Sequence, residues 1–447
     1  MNPIIIQIAQ FILSLSLLIV LHEMGHFLPA KWFKTKVEKF YLFFDVKFSL
    51  FKKKIGETEY GIGWLPLGGY VKIAGMIDES MDTEAMKEEP KPWEFRSKPA
   101  WQRLIIMLGG VTVNFIVAYL IYVFASAFYG DTSIATESVK DGYWIENPVL
   151  KDIGMQTGDK ITAIDGKSYD TFIDLKKNLI VADEVTIERE GVSQTIELPE
   201  DFLGQLSDEG RRSLFDVRVP FMFGGFSDSS LNKKVDLKEG DLFKKINGTT
   251  LRYYDEYTPF LQKLKGQAVT TTILREGEEK EVSMTLDKDG FFGVRPGGSY
   301  NDYAEAGYIK IRVREYGFLE SFGVGATKFW DELTGYGRQL KKIFSPSTGA
   351  YKGVGGFKAI FDIFPDTWSW ETFWRITAFL SIMLAVLNLL PIPALDGGHV
   401  MFLLYEMISG RKPSDKFLEY AQIVGFILLL ALIIFANGND IYRAITK

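Results

Sequence analysis

Four strongly apolar runs, separated by charged stretches, dominate the pattern of the chain. They cover residues 4–27, 104–128, 373–395 and 417–436 of the 447-residue sequence. A helix needs about 20 residues to cross the hydrocarbon core of a bilayer, so each run is long enough. The alternative, buried helices of a soluble protein, is disfavoured because four such runs in one chain are unusual. The pattern therefore predicts a polytopic α-helical membrane protein with four spans.

Basic residues predict how these spans are oriented. Residues 28–103 contain 14 Lys and Arg, whereas no basic residue precedes the first run. Cytoplasmic loops are rich in Lys and Arg, so this loop and the short loop before residue 417 are expected inside. Both termini and residues 129–371 then lie outside. We expect an N-out/C-out protein of a bacterial inner membrane, with its large middle region in the periplasm.

Composition narrows the chemistry that the chain can use. The formal net charge is −6, so nothing indicates a nucleic-acid partner. The chain has no cysteine, which excludes disulfides, thiolate metal sites and a cysteine nucleophile. Any imidazole chemistry must use its three histidines, His22, His26 and His399.

The middle region contains a repeated β pattern. Gly158-Asp159 and Gly240-Asp241 each begin a Gly-Asp-x-x-x-x-Ile-Asp/Asn-Gly motif, and the two copies are 82 residues apart. Each motif predicts a strand and a tight turn, followed by a helical stretch and two further strands. The pair resembles PDZ domains, which bind a chain end or an extended strand at a sheet edge. This resemblance implies two extracytoplasmic PDZ-like β-domains with a peptide or periplasmic ligand; duplicated β-domains of another kind are the alternative.

The first apolar run contains three ionisable residues close together, His22, Glu23 and His26. They form an H-E-x-x-H motif, in which positions i and i+4 lie on one face of a helix and can bind one Zn²⁺. Glu23 is then placed to act as the general base. Ionisable side chains within a membrane are energetically unfavourable, so such a cluster is expected to have a function.

A catalytic zinc site needs a third protein ligand and an open position. The candidates are Asp396 and His399, both in NLLPIPALDGGH at the end of the third run. Asp396 is preferred because it lies three residues nearer to the span, although taken alone it would also suit a turn or helix cap. His399 is expected to be structural or to support the site. The pattern predicts one Zn²⁺ per chain, held by His22, His26 and Asp396.

Together these motifs resemble the site-2 protease family of intramembrane zinc metalloproteases. H-E-x-x-H in the first span and Asn-x-x-Pro-x-Pro-x-Leu-Asp-Gly-Gly in a late span carry the resemblance, and the PDZ-like pair matches the bacterial regulator-of-sigma branch. It implies His22, His26 and Asp396 as zinc ligands and Glu23 as catalytic base. It also implies regulated intramembrane proteolysis of a single-span membrane protein in the lipid bilayer. Such a substrate is often an anti-sigma factor already cut outside, or a signal-peptide remnant, and the PDZ-like domains would screen it by size.

Two further stretches match the family. The segment YGIGWLPLGGYVKIAG in the inner loop resembles its membrane re-entrant β-hairpin, whose open strand edge can pair with an unwound substrate. An ordinary cytoplasmic hairpin is the alternative. The resemblance implies substrate contacts at Gly68, Gly69, Asn388 and Pro391. Asn388 can hold the substrate backbone or the developing oxyanion, or it can be a plain interhelical hydrogen-bonding residue.

These features divide the chain into five regions. They are residues 1–128 with the first two spans, 129–215 and 216–300 as PDZ-like domains, 301–371 as an amphipathic connecting region with a helix from about Phe318, and 372–447 with the last two spans. The second span departs from the family pattern, because Val111 stands where proline is usual. Its helix is expected to be less kinked, and a site role of Asn114 is in doubt.

Two other functions fit parts of the pattern. A membrane metal transporter also places His and Asp in spans, but usually at several positions along a pathway, whereas here the set is compact. A non-catalytic PDZ scaffold would leave Glu23 without a role beside two metal-binding histidines. Both therefore rank below the protease.

Overall fold

The structure, a computed structural model, describes residues 2–66, 68–76, 89–209 and 213–446. Leu67 of the expected re-entrant hairpin, residues 77–88 of the basic inner loop and residues 210–212 of the first expected PDZ-like domain lie outside these ranges. The chain divides into two compact units. The membrane unit contains residues up to Gly130, Glu315–Arg338 and the residues from Val354 onward, and the β unit contains Asp131–Arg314 and Gln339–Gly353.

Helices form most of the membrane unit and connect the strands of the β unit. The described helices are α1 (Pro3–Trp32), α2 (Ala100–Tyr129), α3 (Pro148–Asp152), α4 (Phe172–Leu179), α5 (Phe202–Glu209), α6 (Tyr254–Leu261), α7 (Tyr300–Glu305), α8 (Phe318–Ile343), α9 (Phe357–Phe361), α10 (Trp370–Asn388), α11 (Asp396–Ser409) and α12 (Asp415–Thr446). The amphipathic helix expected from about Phe318 is α8.

Strands occur in both units. In the membrane unit they are β1 (Val37–Leu42), β2 (Phe44–Ile55), β3 (Thr58–Leu65) and β4 (Tyr70–Ile73). In the β unit they are β5 (Asp131–Ile134), β6 (Tyr143–Trp144), β7 (Lys160–Ile164), β8 (Glu184–Arg189), β9 (Val192–Glu197), β10 (Asp216–Val217), β11 (Phe223–Phe226), β12 (Leu242–Ile246), β13 (Thr249–Thr250), β14 (Ala268–Arg275), β15 (Glu278–Thr285), β16 (Val294–Pro296) and β17 (Ile311–Arg314).

Four helices among the described residues are long and apolar enough to cross a membrane, namely α1, α2, α10 and most of α12. They correspond to the four predicted spans, but the third ends at Asn388 instead of continuing to residue 395. Pro391 and Pro393 explain this correction, because proline has no N–H to donate and disfavours helix at the residue before it. A separate helix, α11, then begins at Asp396.

The central helix of the membrane unit is α2, since α1, α10 and α11 all pack against it. A Cβ atom at Gly25 of α1 would overlap the carbonyl oxygen of Gly109 in α2, so the two backbones touch where the helices cross. The hydroxyls of Ser14 and Thr377 lie 2.9 Å apart and join α1 to α10. Small residues and interhelical hydrogen bonds are the contacts that hold helices together in lipid.

The sheet of the membrane unit follows α1 and has the strand order β2-β3-β1-β4. β3 pairs antiparallel with β2 and parallel with β1, while β4 pairs with the other side of β1. Residues 60–75 were expected to form a hairpin, but β3 and β4 are not partners, because β2 and β1 occupy both edges of β3. Within the described residues, β4 is instead an edge strand of this sheet.

Both predicted β repeats are present in the β unit. The first contains β7, β8, β9 and α4, and the second contains β12 to β15 and α6. Asp159 and Asp241 of the Gly-Asp motifs are almost fully buried. The carboxylate of Asp159 accepts hydrogen bonds of 2.7 Å from Arg189, and that of Asp241 accepts bonds of 2.8 and 2.6 Å from Arg275. The motif therefore marks the same buried ion pair in both copies.

Candidate metal centre and active site

Regular helix brings His22 and His26 to the same face of α1, one turn apart. Both residues are buried, with exposed fractions of 8% and 5%. Nδ1–H of His26 donates to the backbone carbonyl of Ile106 in α2 at 2.8 Å. Because a carbonyl oxygen can only accept, this hydrogen bond places the proton of a neutral His26 on Nδ1 and leaves a lone pair on Nε2.

Asp396, 370 residues after His26, completes a triad of potential metal ligands. Its Oδ2 lies 3.3 Å from Nε2 of each histidine, and the two Nε2 atoms are also 3.3 Å apart. Ligands about 2.0–2.1 Å from a tetrahedral Zn²⁺ are separated by ~3.3–3.4 Å, so this triangle has the size of one face of such a site. Oδ2 of Asp396 is buried and receives no hydrogen bond from the described part of the chain. The three residues therefore fit a bound cation.

Glycines in α2 make room for the two imidazoles. A Cβ atom at Gly110 would overlap Nε2 of His26 and would stand 2.6 Å from Cε1 of His22, while one at Gly109 would overlap the carbonyl oxygen of Gly25. A side chain at either position would push α2 away from α1. These roles were not predicted, although two adjacent glycines in an apolar span are a signal of close helix packing.

Asn114, whose role was in doubt, lies directly beside the triad. Its carboxamide nitrogen is 3.0 Å from Nδ1 of His22, and the residue is completely buried. Its Oδ1 has no partner within the described residues. A carboxamide can exchange the positions of its oxygen and nitrogen by rotation. Oδ1 can then accept a hydrogen bond from Nδ1–H of His22, which leaves the lone pair of Nε2 free to bind a metal.

Glu23 and the triad line one cavity of about 590 Å³. Its walls come from α1, β4, the end of α10 and the loop before α11, and they include Gly68 and Gly69. A Cβ atom at Gly69 would lie 2.5 Å from Cγ2 of Ile19 and 3.7 Å from Cγ of Glu23. The chain just before β4 can therefore approach the face of α1 that carries Glu23 this closely because residue 69 has no side chain.

Three further residues were singled out from the sequence, namely Asn388, Pro391 and His399. Nδ2 of Asn388, at the end of α10, lies 3.4 Å from Nε2 of His22. Pro391 is exposed on the following loop and is not part of the cavity wall. His399 lies on α11 and lines a separate, smaller cavity. The structure thus brings Asn388 to the triad, but not Pro391 or His399.

A His-His-Asp cluster beside a glutamate, with both histidines on a helix that can cross a membrane, fits a membrane metallohydrolase. The chain belongs to Peptidase family M50, which it matches over residues 10–432. It is 26% identical over 468 residues to the regulator of sigma-E protease RseP of Escherichia coli, an alignment that covers 98% of both chains. A relative from Campylobacter jejuni, provisionally named as a zinc metalloprotease, is 28% identical over 443 residues, which cover 98% of this chain and 94% of the relative.

These findings confirm the resemblance to the site-2 protease family, the enzyme class of zinc metalloprotease and zinc as the cofactor. Together with the four apolar helices, they make the chain an integral membrane protein.

Proposed function

We propose that the chain is an intramembrane zinc endopeptidase that cleaves the transmembrane segment of single-span membrane proteins. The observation that carries this proposal is the triangle of ligand atoms from His22, His26 and Asp396 beside Glu23. His22, Glu23 and His26 lie on a helix that can cross a membrane, and Asp396 begins α11. These three side chains hold one zinc ion per chain. When bound, zinc supplies Lewis-acid chemistry, polarising the scissile carbonyl and lowering the pKa of a water molecule.

Glu23 and Asn388 supply the remaining chemistry in this proposal. The Glu23 carboxylate takes the proton of the attacking water and returns it to the leaving amine. The Asn388 carboxamide, 3.4 Å from a ligand nitrogen, can donate a hydrogen bond to the substrate carbonyl as negative charge develops on its oxygen. Both side chains line the same cavity, so they can act on one peptide bond.

β4 offers the substrate a place to bind in extended form. A peptide bond inside a helix is engaged in the hydrogen bonds of that helix, so a spanning substrate must unwind before it is cut. β4 is an edge strand within the described sheet and lines the cavity from Tyr70 to Ile73, so a substrate strand that pairs with this edge can regain hydrogen bonds. Gly68 and Gly69 then allow close passage of the substrate backbone.

The sheet that contains β4 is proposed to re-enter the membrane. β2, at its opposite edge, exposes the large apolar side chains of Phe48 and Leu50 by 57% and 65%. Exposed apolar surface of this kind favours lipid over water, and irregular backbone at membrane depth is tolerated where it lines a cavity. This placement would put β4 at the depth of the triad.

The two β repeats are proposed to be PDZ-like domains in the periplasm, at residues 129–215 and 216–300. Their shared strand order and the shared buried Asp–Arg pair support a common ancestry, and the basic inner loop supports the orientation. In this position they would screen substrates by size or bind a peptide. The name of the Escherichia coli relative supports a substrate that controls a sigma factor.

The test of the protease is the variant Glu23→Gln, assayed in full-length protein in liposomes with a tagged single-span substrate. Glutamine has nearly the same size but cannot carry the proton, so we expect cleavage to disappear while about one zinc per chain remains. Glu419→Gln is the matched control, since this glutamate is exposed on α12 and does not line the cavity. Cleavage by Glu23→Gln at the wild-type rate would contradict the proposal.

A further inference from the structure

The loop between α10 and α11 positions Asp396 through an unusual backbone conformation. Ala394, two residues before Asp396, has a φ of +81°, in a region that residues with side chains rarely adopt. Ala394 is also buried, with 8% of its surface exposed. Such a conformation persists only where surrounding contacts hold it in place.

α12 supplies these contacts through two residues. Oε1 of Gln422 accepts a hydrogen bond from the backbone N–H of Ala394 at 3.1 Å in a buried setting. Three residues further along α12, a Cβ atom at Gly425 would overlap the carbonyl oxygen of Pro393 and would stand 3.0 Å from its Cα. The backbone of α12 thus packs directly against the residue that precedes Ala394.

The burial of Gln422 contrasts with the neighbouring surface of α12. Val424, Ile427 and Ile434 are each 60% or more exposed, as expected for a helix that faces lipid, whereas Gln422 is 5% exposed. A buried amide in an apolar setting is unfavourable unless it forms hydrogen bonds. Its hydrogen bond to Ala394 therefore gives Gln422 a specific partner in the loop before Asp396.

We propose that Gln422 and Gly425 are positioning residues of the metal centre, through which α12 holds the Pro393–Ala394 backbone so that Asp396 reaches the two histidines. The inference rests on the proposed function, since it assigns α12 a part in the same site. Neither residue lines the cavity of the triad, so both act through the loop. Without them, Ala394 relaxes to an ordinary φ and the carboxylate of Asp396 no longer meets both Nε2 atoms.

The test compares two glycines of the same helix. Gly425→Ala forces α12 away from Pro393, whereas a Cβ atom at Gly438 meets no described heavy atom within 4 Å, so Gly438→Ala is the matched control. Zinc affinity of the full-length protein in detergent is measured by chelator competition, and the ligand geometry is measured from the visible spectrum after Co²⁺ substitution. We expect Gly425→Ala to lower zinc affinity about 10- to 100-fold and to change the spectrum, with Gly438→Ala as wild type.

Substitutions at Gln422 keep the test decisive if Gly425→Ala fails to fold. Gln422→Met has a similar length but offers Ala394 only a weakly accepting thioether sulfur, so we expect lower zinc affinity and an altered cobalt spectrum. Gln422→Glu retains an accepting oxygen in either protonation state and should restore both properties.

Wild-type affinity and spectrum in Gln422→Met, or in a folded Gly425→Ala, would overturn the positioning role and leave the protease proposal intact. The same holds if Gln422→Glu behaves like Gln422→Met. His22→Ala and Asp396→Ala serve as references in the same assay. If both bind zinc as tightly as wild type, the metal centre itself is wrong.

Discussion

Asp241 in the β unit and Asp396 in the membrane unit are both carboxylates withdrawn from solvent, but their surroundings differ. Asp241 is 2% exposed and receives hydrogen bonds from the Arg275 guanidinium at 2.8 and 2.6 Å and from the backbone amide of Lys238 at 2.8 Å. The Asp396 side chain is 15% exposed and faces two imidazole nitrogens at 3.3 Å. Its Oδ2 receives no hydrogen bond from the described residues.

The difference separates a carboxylate that stabilises the fold from one that is available for a ligand. Burying a charge is unfavourable unless it is paired. Burial acts to raise the pKa of Asp241, but the hydrogen bonds from Arg275 and Lys238 outweigh it, so the pKa is lowered below its usual value. Oδ2 of Asp396 has no such donor among the described residues, and a cation shared with the histidines would compensate the charge.

The largest effect is expected from Asp396→Asn. The neutral amide is a poor zinc ligand, so the variant should lose both bound zinc and cleavage of a single-span substrate. The fold of the β unit should not change. Zinc per chain, measured by mass spectrometry of the purified protein, and the cleavage assay together check this outcome. A variant that keeps one zinc and cleaves normally would remove Asp396 from the site.

Asp241→Asn should instead lower the stability of the β unit. Breaking a buried ion pair costs about 3 kcal/mol or more, and 3 kcal/mol corresponds to a decrease of roughly 6–12 °C in the unfolding midpoint of the β unit. Zinc content should stay at one per chain. Trp144, the single tryptophan between residues 131 and 314, reports the unfolding by its fluorescence. Equal loss of zinc in both aspartate variants would contradict the separation of the two roles.

The lowered pKa of Asp241 predicts how the stability of the β unit depends on pH. Because the folded pKa lies below the unfolded value of about 3.9, the stabilisation is present above about pH 4 and is lost as the pH falls through the folded pKa. The urea midpoint followed by Trp144 should therefore decrease from pH 5 to pH 3 in the wild-type protein. In Asp241→Asn the decrease should be smaller; an equal decrease would assign the effect to other groups.

The smallest effect is expected at an exposed ion pair next to the buried pair of Asp159 and Arg189. Lys160 and Glu188 lie 3.4 Å apart with side chains about 40% exposed, so water screens their attraction. Glu188→Gln should change the free energy of unfolding by less than about 1 kcal/mol and leave the zinc content unchanged. A loss as large as that of Asp241→Asn would show that burial does not decide the strength of these pairs.

The parts of the fold that could be predicted from the sequence are mainly regular helices. The spacing of His22 and His26 places both rings on one face of any α-helix, so two of the three residues of the triad follow from the local pattern. The helical stretch expected after the first Gly-Asp motif is α4 (Phe172–Leu179). These features depend on residues within a few positions of one another.

The features that were not predicted depend on contacts between distant residues. The partner of Asp159 in the first repeat is 30 residues away and that of Asp241 in the second is 34 residues away, so neither follows from local periodicity. The pairing of β4 with β1 depends on which strand edges are already occupied. The fit of Gly110 against His26 depends on how α2 crosses α1, which the pattern of apolar residues does not specify.

The most direct measurement of the metal centre is zinc X-ray absorption on the purified full-length protein. Scattering from imidazole rings differs from that of a carboxylate, so the spectrum counts the histidine ligands. We expect two imidazoles and at least one oxygen ligand, consistent with His22, His26 and Asp396. The chain has three histidines, so a spectrum with three imidazoles would place His399 on the metal. That result, or a single imidazole, would contradict the proposed centre.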